Sequence, residues 1–388
     1  MQLQTKGIHQ GGQGVPQAGL RYERAHEIDG VRGWAALSVL LLHVFQEMLG
    51  KLLPILHAPW LAPFFAGGLA VNVFFVLSGD ALTVSFFARQ AHSTVAIDRL
   101  LVRRYTRLVV PIFLSCLMVF LLRIAGLDFH SQATRIIERE DWLGQFINFD
   151  FSLVSLFRYS LIDVFTNHTR VTSYNPFLWT MSVEMIGSML VFLMCYMWAR
   201  LRNPNKLLAM MSLFLLLLGC DLGLFFAGMW IGSMRSASFF SRIEEGASFR
   251  SKWRLFAVLG CTGIVAVIVM TAGRVVPRHL DMFMACIFVF SVQCHSGLSG
   301  FFRNSISRFL GEISFPLYLV HFPILISFMS WLVIIWSEHT WENAGLVLVC
   351  IGVIAVMVSL TTATLFRMVE RVLLGWVDSR ILKNVLAP

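Results

Sequence analysis

Charged side chains are scarce in this sequence. Asp, Glu, Lys and Arg make up 14% of its 388 residues, where a soluble globular protein carries about 25%. An ordinary water-soluble enzyme is thereby excluded: 57% of the residues are hydrophobic, and a mean hydropathy of +0.72 leaves more apolar surface than a water-facing fold can hide. The seven cysteines lack the paired short spacing that a zinc site or redox dithiol needs, so they read as core filler and no metal is expected. A cleavable signal is missing too, because residues 1 to 20 are rich in Gly and Gln and the first long apolar stretch begins only at Trp34. No internal repeat of fixed period and no appended soluble domain is visible, which makes one membrane domain the simplest description. The expected division is a disordered cytoplasmic leader over 1–27, a membrane domain over 28–372 and a cytoplasmic tail over 373–388.

What is abundant is long apolar runs. A membrane helix needs about 20 mostly apolar residues to cross about 30 Å of hydrocarbon, and runs of that kind lie at about 34–53, 61–86, 106–125, 177–198, 254–272, 279–294, 309–336 and 343–366. Leu207 to Met234 is interrupted by Gly219, Cys220 and Asp221, and charge decides how it crosses. A hairpin keeps Arg200, Arg202, Lys206, Arg235 and Arg242 on one side, as a cytoplasmic excess of Lys and Arg requires, whereas a single pass would split them. The expectation is an all-α, polytopic membrane protein of about ten transmembrane helices with both termini cytoplasmic. The net charge of +9 is then a topology signal, and no nucleic-acid partner is expected. The stretch 126–176 falls outside, and its run from Trp142 to Phe165 either lies on the interface or caps an outer cavity.

Ionisable groups inside spans are costly and mark either a functional path or an internal pair. Arg32 and His43 stand 11 residues apart, close to three helical turns, so they share a face with about 16 Å between them. Glu184 sits about two turns into its span, and His321 lies about 18 Å in from a cytoplasmic end, between Pro316 and Pro323. At the inner face are Ser78-Gly79-Asp80 and the cluster Arg103, Arg104 and Arg107 ahead of Pro111. Each has a plain alternative: interfacial anchoring for the arginines, a helix-to-helix hydrogen bond for His43 and Glu184, a helix-break contact for His321, and an arginine pair for Asp80. Taken together, His43, Glu184 and His321 are expected in the middle to outer membrane, above Arg32, Asp80, Arg104 and Arg107. Cations able to hold phosphate below and acid/base groups above suit a transfer reaction across a bilayer.

In order along the chain, Asp29-Gly-Val-Arg32-Gly with His43, Asn72-Val-Phe-Phe-Val-Leu-Ser-Gly79, Arg104-Tyr-Thr-Arg107 with Pro111, Leu178-Trp-Thr-Met-Ser-Val-Glu184, Phe225-Phe-Ala-Gly-Met and Gly311-Glu-Ile-Ser-Phe-Pro-Leu-Tyr-Leu-Val-His321 resemble the signature segments of the acyltransferase 3 family of integral membrane O-acyltransferases. The set runs from Ile28 to about Ile324. It departs from the family at Asp80, where an aromatic is common, and mildly at Thr180 and Phe315. The resemblance implies acyl transfer, most often of acetyl, from cytoplasmic acetyl-CoA as donor to a hydroxyl of a saccharide or lipid-linked glycan acceptor, in the plasma (inner) membrane. It implies His43 as catalytic base, with Glu184 orienting the imidazole and His321 supporting the site. Arg32, Arg104 and Arg107 would hold the donor, with Ser78 and Asp80 beside it. The rival from another class is a proton-coupled secondary transporter, in which the same His and Glu residues relay protons.

Overall fold

The computed structural model describes residues 26–89, 94–274 and 276–385, and among them every regular element is helical. The principal helices are α1 (His26–Leu41), α2 (Gly67–Arg89), α3 (Thr94–Ile124), α4 (Thr180–Met197), α5 (Pro204–Leu217), α6 (Leu222–Ser236), α7 (Ala247–Met270), α8 (Arg278–Cys294), α9 (Ser305–Ile324) and α10 (Ala344–Val385). The leader expected over 1–27 lies outside the described residues apart from His26 and Glu27, which already belong to α1. No separate tail begins at 373, since α10 runs unbroken to Val385.

Seven helical stretches among the described residues are long and apolar enough to cross a membrane, and an eighth appears if a bent pair is counted as one span. That pair is α8 and the short helix Ser296–Phe302, which meet at 99°. His295 caps the turn, its Nδ1 accepting from the backbone N–H groups of Gly297 (3.1 Å) and Leu298 (3.2 Å). The interrupted stretch from Leu207 to Met234 folds as two helices, α5 and α6, joined at Gly219 with φ +67°. At 14 and 15 residues each is about 21 to 23 Å long, shorter than the hydrocarbon layer. The pair is stitched together where the Ser212 hydroxyl donates to the Gly223 carbonyl at 2.9 Å.

Glycine lets two helix pairs approach to backbone contact. A Cβ on Gly33 of α1 would collide with the Gly311 backbone of α9, and one on Gly228 of α6 with the Val76 carbonyl of α2. Without a hydrophobic drive between helices in lipid, such close packing is a main source of association. Gly228→Leu is therefore expected to destabilise the detergent-solubilised protein by about 1–3 kcal/mol. Gly263→Ala, where a Cβ meets nothing within 4 Å, leaves thermal unfolding at the parent temperature.

The buried apolar residues form two main clusters. One joins α3, α9, α10 and the segment 126–176; the other joins α2, α4, α6 and α8; α1 contributes to both. Within 126–176, Trp142 and Phe146 pack inward, while Leu153, Val154, Phe157 and Ile162 are exposed. The segment thus both caps the bundle and presents an apolar face. Of the cysteines, Cys116, Cys195 and Cys294 are buried as filler should be, but Cys350 is exposed on α10.

Candidate active site

The two histidines expected in the upper layer come together. His43 Nδ1 lies 3.1 Å from His321 Nε2. Both stand beside a widening of the helix: α1 passes into a π-helical turn over Leu42–Met48, and α9 into another over Leu325–Met329, a local form frequent at functional sites. Pro323 cannot donate to Leu319, four residues back, so that carbonyl would be orphaned. The Ser115 hydroxyl (2.8 Å) and the Asn175 amide (3.2 Å) donate to it instead. The break beside His321 is therefore satisfied by neighbours, and the histidine is spared for other work.

Its hydrogen bonds fix the tautomers. His321 Nδ1 lies 3.1 Å from the Leu317 carbonyl, which can only accept, so Nδ1 carries the proton. In the neutral ring Nε2 is then a bare acceptor and must take its hydrogen bond from His43 Nδ1–H. His43 Nε2 is left with a free lone pair. His321 is 1% exposed and held, whereas His43 is half-buried. The Phe177 ring stacks on His43 at 4.0 Å and on His321 at 4.8 Å. On the outer side Trp142 lies 5.8 Å from His43. Arg139 pins that segment, since it stacks on Trp142 and donates to the Glu47 carboxylate at 2.6 Å.

Below the histidines a cavity of about 460 Å³ opens at the seam of the two clusters. Arg32, Ser78, Arg104, Arg107 and Glu184 line it, as do Arg367 and Arg371 from α10. Val39 of α1, Thr180 of α4 and Tyr318 of α9 form its deep end. One helical turn or less beyond these three come His43, Phe177 and His321. Tyr318 closes the roof, donating to the Phe177 carbonyl and hydrogen-bonded to Thr180 at 2.8 Å.

Two expectations need correction. Glu184 does not orient the imidazole: its carboxylate pairs with Arg104, whose Nε also donates to Ser188 at 2.9 Å. In a low-dielectric site the nearest guanidinium is the stronger attraction, and Glu184 belongs to the lower layer with it. Asp80 does not line the cavity and pairs with none of the cluster arginines. It is fully buried against Arg235 of α6, under Gly232, where only a missing side chain leaves it room. Arg32, by contrast, keeps its place in the cavity with Asp29 at 3.6 Å. Phe177, Trp142, Tyr318 and the α10 arginines were not singled out from the sequence, although Tyr318 stands inside a signature segment.

A sequence profile described as an acyltransferase domain matches residues 25–364. The chain belongs to the acyltransferase 3 family. An O-acetyltransferase of Phomopsis amygdali, PaAT-1, is similar to this acyltransferase at 23% identity over 360 residues, covering 77% of the chain and 71% of the relative. The acyltransferase clz18 of Cochliobolus lunatus is 34% identical over 106 residues, a quarter of this chain and 22% of its own. No solved structure matches. The chain is an O-acyltransferase of the membrane, with its helical bundle and signature segments meeting around one cavity and one histidine pair.

Proposed function

We propose that this enzyme transfers acetyl from cytoplasmic acetyl-CoA to a hydroxyl of a saccharide or lipid-linked glycan, at the plasma membrane. The observation that carries the reading is the free lone pair of His43 Nε2 one turn beyond a cation-lined cavity. The thioester enters from the side that the Lys/Arg asymmetry assigns to the cytoplasm, with its phosphates toward Arg32, Arg104 and Arg107 and Ser78 beside them. Glu184 holds the Arg104 guanidinium in place for that contact. His43 Nε2 takes the proton of the acceptor hydroxyl as the oxygen attacks the thioester carbonyl carbon. The carbon–sulfur bond then breaks, and the proton passes to the departing thiolate, giving ester and free thiol. His321 keeps His43 in the tautomer that can do this. The relative named an O-acetyltransferase supports acetyl as the group moved.

The test is thiol release by the purified protein in detergent, where no membrane gradient exists. Acetyl-CoA consumption that rises on adding a glycan fraction from the host is expected. Transport that needs a proton gradient, with no thiol released, would establish the transporter instead. Comparing the host's surface glycans with and without the gene, by the acetyl increment in their mass spectra, identifies the acceptor.

A further inference from the structure

Three of the five arginines lining the cavity already have a carboxylate: Arg32 has Asp29, Arg104 has Glu184 and Arg367 has Glu312. The other two, Arg107 of α3 and Arg371 of α10, have no hydrogen-bond or ion-pair partner among the described residues, and both are exposed. They are not scattered surface charges. Arg367, Glu370, Arg371 and Leu374 follow the spacing i, i+3, i+4, i+7, so α10 presents one continuous stripe to the cavity. That stripe exists because α10, at 42 residues, is about 63 Å long and continues well past a hydrocarbon layer of about 30 Å. Glu370 lies on the same stripe, near Arg107, Arg367 and Arg371 but within ion-pair distance of none of them. The family match ends at residue 364, so the stripe lies beyond the part of the chain that the family profile describes.

A wall with two unmatched guanidiniums at a solvent-accessible cavity calls for an anion that brings its own charge, and the planar fork of arginine suits phosphate. We propose that Arg371, together with Arg107, recognises the phosphate-bearing nucleotide end of the thioester donor, so that α10 selects nucleotide thioesters over phosphate-free ones. The proposal rests on the donor reading above. An anionic lipid headgroup offers the same chemistry, and the experiment separates the two sources.

The assay is thiol release by purified protein in a neutral detergent, with acetyl-CoA and with S-acetylpantetheine, which carries no phosphate. Arg371→Ala and Arg107→Ala are each expected to raise KM for acetyl-CoA about tenfold, the loss of a charge-assisted contact. KM for S-acetylpantetheine stays at the parent value. Arg380→Ala removes the same charge from the same helix, where Arg380 stacks on Trp376 outside the cavity, and leaves both constants unchanged. An unchanged KM for acetyl-CoA in Arg371→Ala overturns the proposal, as does an equal rise for both thioesters. An effect that appears only after phosphatidylglycerol is added assigns the site to lipid and also overturns it. If the parent protein releases thiol from neither thioester, the donor reading itself falls and takes this one with it.

Discussion

Alanine in place of His43 is expected to cut acetyl transfer by about 10²- to 10⁴-fold, the usual contribution of a positioned proton acceptor. Expression and thermal stability should stay near those of the parent, because a polar ring leaves a membrane-embedded site and only its partner His321 loses a contact. The companion variant His321→Phe keeps a flat ring against Phe177 but removes the acceptor of His43 Nδ1–H. Nothing then chooses between the two tautomers of His43, and the lone pair can sit on the wrong nitrogen. Activity should fall less than in His43→Ala, with the loss in kcat rather than in KM for the donor, as expected when a group acts through another. Thiol-release kinetics on both variants decide the matter. Parent-like turnover in a folded His43→Ala protein would remove the histidine from the chemistry.

Asp80→Ala is expected to be the most damaging single change to stability. Asp80 is fully buried and paired with Arg235 across two helices, and removing one member of such a pair costs about 3–5 kcal/mol because the other charge stays behind. The double variant Asp80→Ala with Arg235→Met should recover much of the loss, since no charge then remains to be solvated. Thermal unfolding of the four proteins of that cycle in detergent measures it directly. Strictly additive losses would show that the two side chains do not act as a pair.

Helix number and identity were readable wherever a single local signal sufficed. Apolar runs marked the long spans, and the Gly219-Cys-Asp interruption together with the basic flanks marked the hairpin of α5 and α6. The site was readable as a set of residues, because Arg32, Ser78, Arg104, Arg107 and Glu184 do meet in one cavity and His43 does meet His321. Its pairings were not. Glu184 and Arg104 are 80 positions apart, Asp80 and Arg235 are 155 apart, and no periodicity within one helix reports which neighbour a buried carboxylate will face. The reach of α10 was hidden for a related reason: Arg367, Glu370 and Arg371 end the apolar run, which reads as an exit from the membrane, whereas a helix needs no apolar residues to continue into water. The 99° bend after Cys294 left only a short apolar run as its trace.

Two imidazoles in hydrogen-bond contact within a membrane could endanger the cell that carries them, because a chain of exchangeable protons spanning the bilayer would conduct and discharge the membrane potential. Here the chain is two rings long and ends on the Leu317 carbonyl, an oxygen with no proton of its own to pass onward. A proton taken up at His43 can therefore go back only by the face through which it came. The arrangement is an insulated terminal, able to lend a charge during one turnover while adding no leak current to the membrane around it.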